Sequence, residues 1–350
     1  MSKLRLGFVG VGGMGQMAHL SNYAVLTNEC EVVALAEPRP QLAKLVADRY
    51  GIPKVFHDHK ELLEKADVDA VVAAQPYRRH SILIPDILRK CIPVFTEKPL
   101  CLTVEAGEKL VALGEQSGTL HMVGYHKRSD PAMEYAKNVI SEWKASGELG
   151  RMRLVRVTMP PGDWVGGADK PLDSGEKCLP LDWEPYSNEF GEAANKMYDG
   201  FVNYYIHQVN AIRFLLGEPY AVSFVEKSQV LMVGQSSSGV CVSLEMSPYR
   251  TTVDWQETLL IGFEKGFVRI ELPAPLVRQR PGRVIVMRDD GKSAPTTLEP
   301  TLPMRSAMRS QAINFIAAVR KERPAPCIAK EALEDLKVAR DYIRFLFPSR

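Results

Sequence analysis

The sequence lacks the usual features of disulfide-bonded, metal-bound and membrane-spanning proteins. Its six cysteines form no Cys-x-x-Cys pair, and none is spaced from a histidine as a zinc ligand would be. We therefore expect reduced thiols and no metal. No apolar run reaches roughly 18 residues, the length that a membrane span needs, and the opening MSKLRLGFVG has no signal-peptide core. We expect a cytoplasmic protein with no membrane partner.

The chain also lacks a strong excess of charge of either sign. Lys and Arg number 44 against 42 Asp and Glu, which gives a net charge of +2, and the basic residues are dispersed. Proteins that bind nucleic acid usually concentrate Lys and Arg on one face, so no nucleic-acid partner is expected. A chain of 350 residues is too long for one typical core, and two domains are expected.

Residues 1–125 alternate short apolar segments with helical patterns. The segments LRLGFVG, EVVALAE, VDAVVAAQP, IPVFTEKP and TLHMVGY have the composition of buried strands. Strands that are apolar on both faces and alternate with helices indicate a parallel sheet covered on both sides. The sequence thus predicts an α/β fold that begins with a doubly wound parallel sheet.

The pattern changes in residues 126–350, which we assign to a second domain. A helix is expected at 131–150, a strand at 152–160 and a long loop at 161–195, followed by a helix through DGFVNYYIHQVN. Partly alternating segments with short turns between 221 and 288 predict a mostly antiparallel sheet. Two helices, at about 305–322 and 330–347, close the chain, and the last could pack back on the first domain.

A glycine motif follows the first strand. Gly10, Gly12 and Gly15 form Gly-x-Gly-x-x-Gly at the start of a helix, and Glu37 ends the second strand 22 residues after Gly15. The first glycine permits a tight turn, the second lets the backbone approach a pyrophosphate, and the third lets helix and strand pack closely. The helix N-terminus offers amides to the phosphates. This context predicts a Rossmann dinucleotide site.

Two residues bear on which dinucleotide binds. Glu37 can accept hydrogen bonds from the adenosine ribose and repel a 2′-phosphate, which favours NAD. Arg39, two residues further on, could hold that phosphate, so NADP stays open.

A lysine follows another buried strand at the edge where ligands bind in such sheets. Lys98 comes directly after PVFTE, and Glu97 could pair with it or with a backbone amide. The Lys98–Pro99 bond could be cis. In QPYRRH (75–80), Pro76 ends a strand and His80 begins a helix. His80 could face the nicotinamide or be only a helix N-terminal residue.

These motifs together resemble the glucose–fructose oxidoreductase / inositol dehydrogenase / MocA family. GFVGVGGMG, AAQPYRRH, TEKPL, VGYHKRSDPA and IHQVNAIRFLLGEP carry the resemblance in this order, over most of the chain. It implies an N-terminal Rossmann domain, a C-terminal α/β domain with a large, mostly antiparallel sheet, and hydride transfer between NAD(P) and a sugar or cyclitol. It also implies a homodimer or homotetramer formed through that sheet.

The sequence departs from the family on one helix. Members commonly carry Asp-x-Gly-x-His-x-x-Asp, whereas this chain has Asn203, Tyr205, His207 and Asn210 at those positions. The histidine is kept and both carboxylates become amides. Any mechanism that needs a carboxylate to orient His207 is therefore in doubt, and so is the substrate.

The resemblance assigns the remaining site residues. Lys98 and His207 are the expected catalytic residues, either of which could accept the proton of a hydroxyl. Arg128 could touch a ligand or only join the domains. The expected cofactor contacts are Gly10, Gly12, Gly13, Met14, Gly15, Glu37, Arg39, Gln75, Pro76, His80, Glu97 and Lys98. The expected substrate contacts are Lys98, Tyr125, Arg128, Asp163, Trp164, Asn203, His207 and Asn210.

Three functions follow from the sequence. The first is an NAD(P)-dependent dehydrogenase acting on a carbohydrate or polyol. The second is a glycosidase or lyase that holds NAD and oxidises a sugar only transiently. The third is a non-catalytic, dinucleotide-responsive binding protein, which the presence of Lys98 and His207 makes the least favoured.

Overall fold

Two compact units make up the computed structural model, which describes residues 2–178 and 180–348. The described residues of 1–125, 168–190 and 311–336 form the first unit, and those of 126–167, 191–310 and 337–350 form the second. The sequence assigned everything beyond 125 to the second domain, so the placement of 168–190 and 311–336 in the first unit is a new finding.

The first unit contains a six-stranded parallel sheet in the order β3-β2-β1-β4-β5-β6. This is the strand order of a dinucleotide-binding Rossmann sheet, and the predicted fold of this part is confirmed. The strands are β1 Leu4–Val9, β2 Cys30–Ala36, β3 Lys54–Phe56, β4 Ala70–Ala73, β5 Val94–Glu97 and β6 His121–Gly124.

Helices connect these strands. The helix after β1 is π-helical over Gly15–Leu20 and ends in one α-helical turn. Thr103 caps a later helix by accepting the Ala106 amide. The α-helices of this part are α1 Ser21–Tyr23, α2 Pro40–Tyr50, α3 His59–Lys65, α4 His80–Arg89 and α5 Val104–Ser117.

Residues 311–336 join the first unit through its core and the end of its sheet. The rings of Phe315 and Phe95 lie 5.7 Å apart between centroids, and both side chains are fully buried. The Val123 amide donates to the Cys327 carbonyl at 2.9 Å. Apolar burial and a backbone hydrogen bond thus hold a late segment of the chain against early strands.

The second unit contains an eight-stranded sheet in the order β14-β13-β12-β11-β7-β10-β9-β8. Only the β7–β10 pair is parallel, and the predicted mostly antiparallel sheet is confirmed. Its strands are β7 Met152–Met159, β8 Tyr220–Val225, β9 Leu231–Ser236, β10 Cys241–Met246, β11 Glu257–Phe263, β12 Gly266–Leu272, β13 Arg283–Arg288 and β14 Thr296–Leu298.

Helices α6 and α8 pack on this sheet. The single helix expected through DGFVNYYIHQVN is instead two helices that meet at Tyr205, whose φ of −95° and ψ of −3° interrupt regular helix. The remaining helices are α6 Pro131–Ser146, α7 Glu192–Tyr204, α8 Ile206–Leu216, α9 Ala307–Val319 and α10 Ala329–Leu346. Among residues 2–178 and 180–348, none of the helices is long and apolar enough to cross a bilayer.

Candidate active site

The glycine turn after β1 needs glycine at two positions for steric reasons. Gly10 has a φ of +91°, and a Cβ there would lie 2.8 Å from the Ala74 carbonyl oxygen. A Cβ on Gly15 would lie 2.6 Å from the carbonyl oxygen of Gly10. Both contacts are too short for real atoms, so these glycines close the turn against the next strand and the helix.

Gly12 and Gly13 are different, because an added Cβ would make only ordinary van der Waals contacts. The nearest atom to a Cβ on Gly12 is an Arg39 guanidinium nitrogen at 3.9 Å, and on Gly13 it is the Met17 methyl at 3.6 Å. The backbone is therefore bare on the side where a pyrophosphate would approach. This open cradle fits a dinucleotide.

The contrast between these glycines gives a prediction. We expect Gly12→Val to fold with nearly unchanged stability, because its Cβ would make only an ordinary van der Waals contact with Arg39, but to lose detectable dinucleotide binding. Gly15→Val should instead lose stability through the clash with the Gly10 carbonyl. Calorimetric titration with NAD⁺ and thermal unfolding of both variants test this, and unimpaired binding by Gly12→Val would show that the cradle is not the cofactor site.

Glu37 and Arg39 form an ion pair beside this turn. The Glu37 side chain is almost fully buried and accepts a hydrogen bond from the Val11 amide at 3.1 Å and one from Arg39 Nε at 2.6 Å. The hydrogen bond with Glu37 raises the pKa of Arg39. The sequence treated these residues as separate determinants of cofactor choice, whereas the structure couples them.

His80 lies at the start of α4 with no exposed surface. Its Nδ1 is 3.0 Å from the Leu100 carbonyl oxygen and its Nε2 is 3.2 Å from that of Gln75. Burial lowers its pKa, and the neutral ring can donate to only one of these oxygens. Contact with a cofactor would require the surrounding chain to move, so the geometry favours the structural role for His80. Of the neighbouring expected contacts, Gln75 is half-buried and Pro76 is exposed.

Lys98 follows β5, and its Nζ-bearing side chain is half-buried. Its backbone amide donates to the Glu97 carboxylate at 3.1 Å. The other oxygen of Glu97 lies 2.6 Å from Nε2 of His19, a buried residue in the helix after the glycine turn. The Lys98–Pro99 bond is cis, as the sequence allowed. His19 was missed because no local motif connects it to Glu97, 78 residues away.

In the second unit, the helix break separates the polar residues expected on one face. Asn203 is exposed in the last turn of α7, whereas His207 and Asn210 lie on α8. Asn210 is buried and accepts a hydrogen bond from Arg128 Nε at 2.7 Å. The rings of His207 and His126 lie 4.7 Å apart, edge to face. Arg128 and Asn210 are thus hydrogen-bonded to each other, and their contacts with substrate stay predictions.

A buried carboxylate missed by the sequence analysis lies beside this helix. Glu257 is 1% exposed and pairs with Lys127, which is 5% exposed. It also accepts hydrogen bonds from Gln208 Nε2 at 2.8 Å and Trp255 Nε1 at 3.2 Å. Three donors compensate for the cost of burying this charge.

The remaining expected substrate contacts differ in their surroundings. Tyr125 is buried, whereas Trp164 is exposed. The Asp163 carboxylate accepts hydrogen bonds from the amides of Val165 at 2.9 Å and Gly166 at 3.3 Å, which closes a local turn. This turn accounts for Asp163 without a ligand, and the role of all three in binding stays a prediction.

Asp130 gives a pH-dependent prediction. It caps α6 by accepting the Ala132 amide at 2.8 Å and also accepts the Gly282 amide at 3.0 Å. Burial raises its pKa to about 6. Because the folded-state pKa lies above that of the unfolded chain, Asp130 stabilises the fold below about pH 4 and loses this contribution as the pH rises to about 6. Between about pH 4 and pH 6, the free energy of unfolding should therefore fall less in Asp130→Asn than in the wild type. Equal pH dependence of the unfolding free energy in the two proteins would contradict this role for Asp130.

Comparison with known protein families finds a match for the N-terminal part of the first unit. Residues 4–125 match the model of an oxidoreductase family with an NAD-binding Rossmann fold. The chain is 35% identical to inositol 2-dehydrogenase of Rubrobacter xylanophilus over 172 residues, which cover 47% of this chain and 48% of the relative. This match thus spans about half of that relative's length.

Two longer similarities extend over nearly the whole chain. It is 25% identical to inositol 2-dehydrogenase of Rhizobium meliloti over 99% of this chain and 98% of the relative. The crystal structure of scyllo-inositol dehydrogenase from Lactobacillus casei with bound NAD(H) and scyllo-inositol superposes with a TM-score of 0.69, at 20% identity, over 98% of this chain and 97% of that one. This structural likeness supports the fold that the sequence predicted.

Proposed function

We propose that this chain is a dehydrogenase that transfers hydride between a nicotinamide dinucleotide and a sugar or cyclitol, because residues 4–125 match the model of an oxidoreductase family with an NAD-binding Rossmann fold and similar proteins are inositol 2-dehydrogenases. One observation carries the proposal most strongly. The open glycine cradle after β1 and the half-buried Lys98 after β5 lie at the carboxyl edge of one parallel sheet, where such sheets bind their ligands.

A nicotinamide dinucleotide bound at the glycine cradle would supply the hydride acceptor, and the chain's own residues would then have to accept the hydroxyl proton. Lys98 is our first candidate for this role. As an ammonium it can donate to the substrate oxygen and stabilise negative charge that develops there, and as a neutral amine it can accept the proton. The anchored Glu97 carboxylate fixes the backbone from which Lys98 projects.

His207 is the second candidate for the proton acceptor. An imidazole ordinarily titrates near neutral pH and so suits a base there. Asn210 does not supply the carboxylate that the family commonly has, and its amide oxygen is engaged by Arg128. This arrangement supports giving Lys98 the larger share of the proton chemistry.

We propose a cyclitol or sugar as the substrate class. The relatives from Rubrobacter xylanophilus and Rhizobium meliloti are named inositol 2-dehydrogenases. An exposed amide such as that of Asn203 can both donate to and accept from hydroxyl groups.

We propose NAD rather than NADP as the preferred cofactor. The buried Glu37 carboxylate stands at the end of β2 and engages Arg39. The guanidinium that could hold a 2′-phosphate is thereby already paired with a carboxylate, and Glu37 itself would repel that phosphate.

The test is reduction of NAD⁺ by the purified chain with a panel of cyclitols, aldoses and sugar derivatives. We expect NADH formation with at least one member, and faster turnover with NAD⁺ than with NADP⁺. A protein that binds NAD⁺ tightly but reduces none of it with any member would overturn net dehydrogenation.

A second function, transient oxidation without net redox, is favoured by one observation. Amides stand where the family commonly has carboxylates, at Asn203 and Asn210. If glycosides or other sugar derivatives are cleaved while the NAD⁺ content stays constant, this function replaces the first.

We further propose that the chain forms a homodimer or homotetramer through its eight-stranded sheet. One face of β7, β11 and β12 is buried, whereas Leu154, Leu260 and Phe267 on the other face are only half-buried and Arg156 and Arg269 there are exposed. Sedimentation of the full chain tests this, and a monomer at micromolar concentration would contradict it.

A further inference from the structure

Residues 168–178 and 180–190, here called the crossing segment, contact the helices of the first unit where the dinucleotide is expected. The Leu172 amide donates to Gln16 Oε1 at 2.8 Å, and Gln16 Nε2 donates back to the Leu172 carbonyl at 3.0 Å. Gln16 belongs to the helix directly after the glycine turn. The crossing segment thus begins beside the cradle.

Four residues further on, the crossing segment places a carboxylate at the N-terminus of α2. Glu176 accepts hydrogen bonds from the amides of Leu42 at 2.9 Å and Gln41 at 3.2 Å, and from Ser174 Oγ at 2.7 Å. Burial tends to raise the pKa of Glu176, but these hydrogen bonds and Arg39 outweigh it, and the pKa lies below the usual value. Glu176 is therefore a carboxylate at neutral pH.

Helix α2, whose first amides Glu176 accepts, begins next to the expected ribose site. Arg39 is the residue before α2. Its guanidinium pairs with Glu37, and the charges of Glu37 and Glu176 both help to raise the pKa of Arg39. One cation thus interacts with two carboxylates. An arginine and helix amides are the groups with which a protein would hold a phosphate, and here both are engaged by the chain's own carboxylates.

We propose that Glu176 is a second determinant of cofactor choice, which excludes the 2′-phosphate of NADP by occupying the α2 amides and adding negative charge near Arg39. The inference rests on the proposed preference for NAD and adds to it a residue from outside the βαβ unit. A 2′-phosphate would have to displace Glu176 from the amides and would approach both Glu176 and Glu37. The free hydroxyl of NAD carries no charge and meets neither obstacle.

The test compares dissociation constants for NAD⁺ and NADP⁺, measured by calorimetric titration of the full chain freed of nucleotide. Glu176→Gln keeps the shape of the side chain and removes its charge. We expect it to tighten NADP⁺ binding by about tenfold and to change NAD⁺ binding by less than about threefold, because only the phosphate interacts strongly with the charge removed. Added salt should reduce the difference in NADP⁺ dissociation constant between the variant and the wild type, because salt screens the charge of Glu176.

Asp173→Asn is the matched control. Asp173 is exposed in the same segment, and its carboxylate accepts the Gly175 amide at 2.9 Å in a local turn. Asp173→Asn makes the same change in net charge as Glu176→Gln. It should leave the ratio of the NADP⁺ and NAD⁺ dissociation constants near that of the wild type. An unchanged ratio in Glu176→Gln, with NAD⁺ still bound, would overturn the role of Glu176 and leave the proposed function intact. A wild type that binds neither dinucleotide would overturn both.

Discussion

Lys98→Ala is expected to lower the kcat for oxidation of the preferred polyol by about 100- to 10,000-fold, the range that a positioned proton-transfer group contributes. Lys98 extends from the end of β5, next to a carboxylate that its own amide and His19 hold in place. The dissociation constant for NAD⁺ should change far less than kcat, because the glycine cradle and Glu37 are untouched even though one expected cofactor contact is lost. Stopped-flow measurement of NADH formation gives kcat directly.

Two further variants make this test specific. Lys90→Ala removes an exposed lysine at the end of α4 and should keep wild-type turnover. His207→Ala compares the two candidate proton acceptors, and a larger loss there than in Lys98→Ala would make His207 the acceptor. Wild-type turnover in Lys98→Ala would remove Lys98 from the chemistry altogether.

Glu257→Ala is expected to destabilise the second unit by about 3–5 kcal/mol, because it leaves the buried Lys127 ammonium without its counter-charge. Gln208 and Trp255 would also lose their shared acceptor. Urea unfolding followed by tryptophan fluorescence measures the loss, since Trp255 reports directly on this cluster.

An exposed carboxylate in the same unit provides the comparison. Glu299 pairs with Arg283 at 2.6 Å on the surface, and Glu299→Ala should destabilise the unit far less than Glu257→Ala, because solvent screens an exposed ion pair. A loss for Glu257→Ala as small as that for Glu299→Ala would mean that the buried cluster contributes little net stability.

The sequence predicted those features that depend on local constraints. The glycine turn was predictable because Gly10 must adopt a positive φ and Gly15 must pack against it. The place of Lys98 followed from a buried strand that ends directly before it. Periodicity also indicated the parallel and antiparallel character of the two sheets, although short strands such as β3 and β14, of three residues each, were missed.

Features that depend on distant contacts were not predictable. His19 and Glu97 meet only because β1 and β5 lie in one sheet, and residues 161–195 gave no periodic signal from which the contacts of Glu176 could be inferred. The break at Tyr205 was hidden because the residues around it continue a helical pattern. The Lys127–Glu257 pair joins positions 130 residues apart, which no spacing rule relates.

Deuterium transfer tests the central claim most directly. The purified chain is incubated with NAD⁺ and a polyol from the panel that carries deuterium on its oxidisable carbons, and the dinucleotide is analysed by mass spectrometry. The account predicts NADH with one deuterium on the nicotinamide ring, formed together with the corresponding ketone. A chain that binds NAD⁺ but transfers deuterium from no sugar or cyclitol in the panel would contradict it.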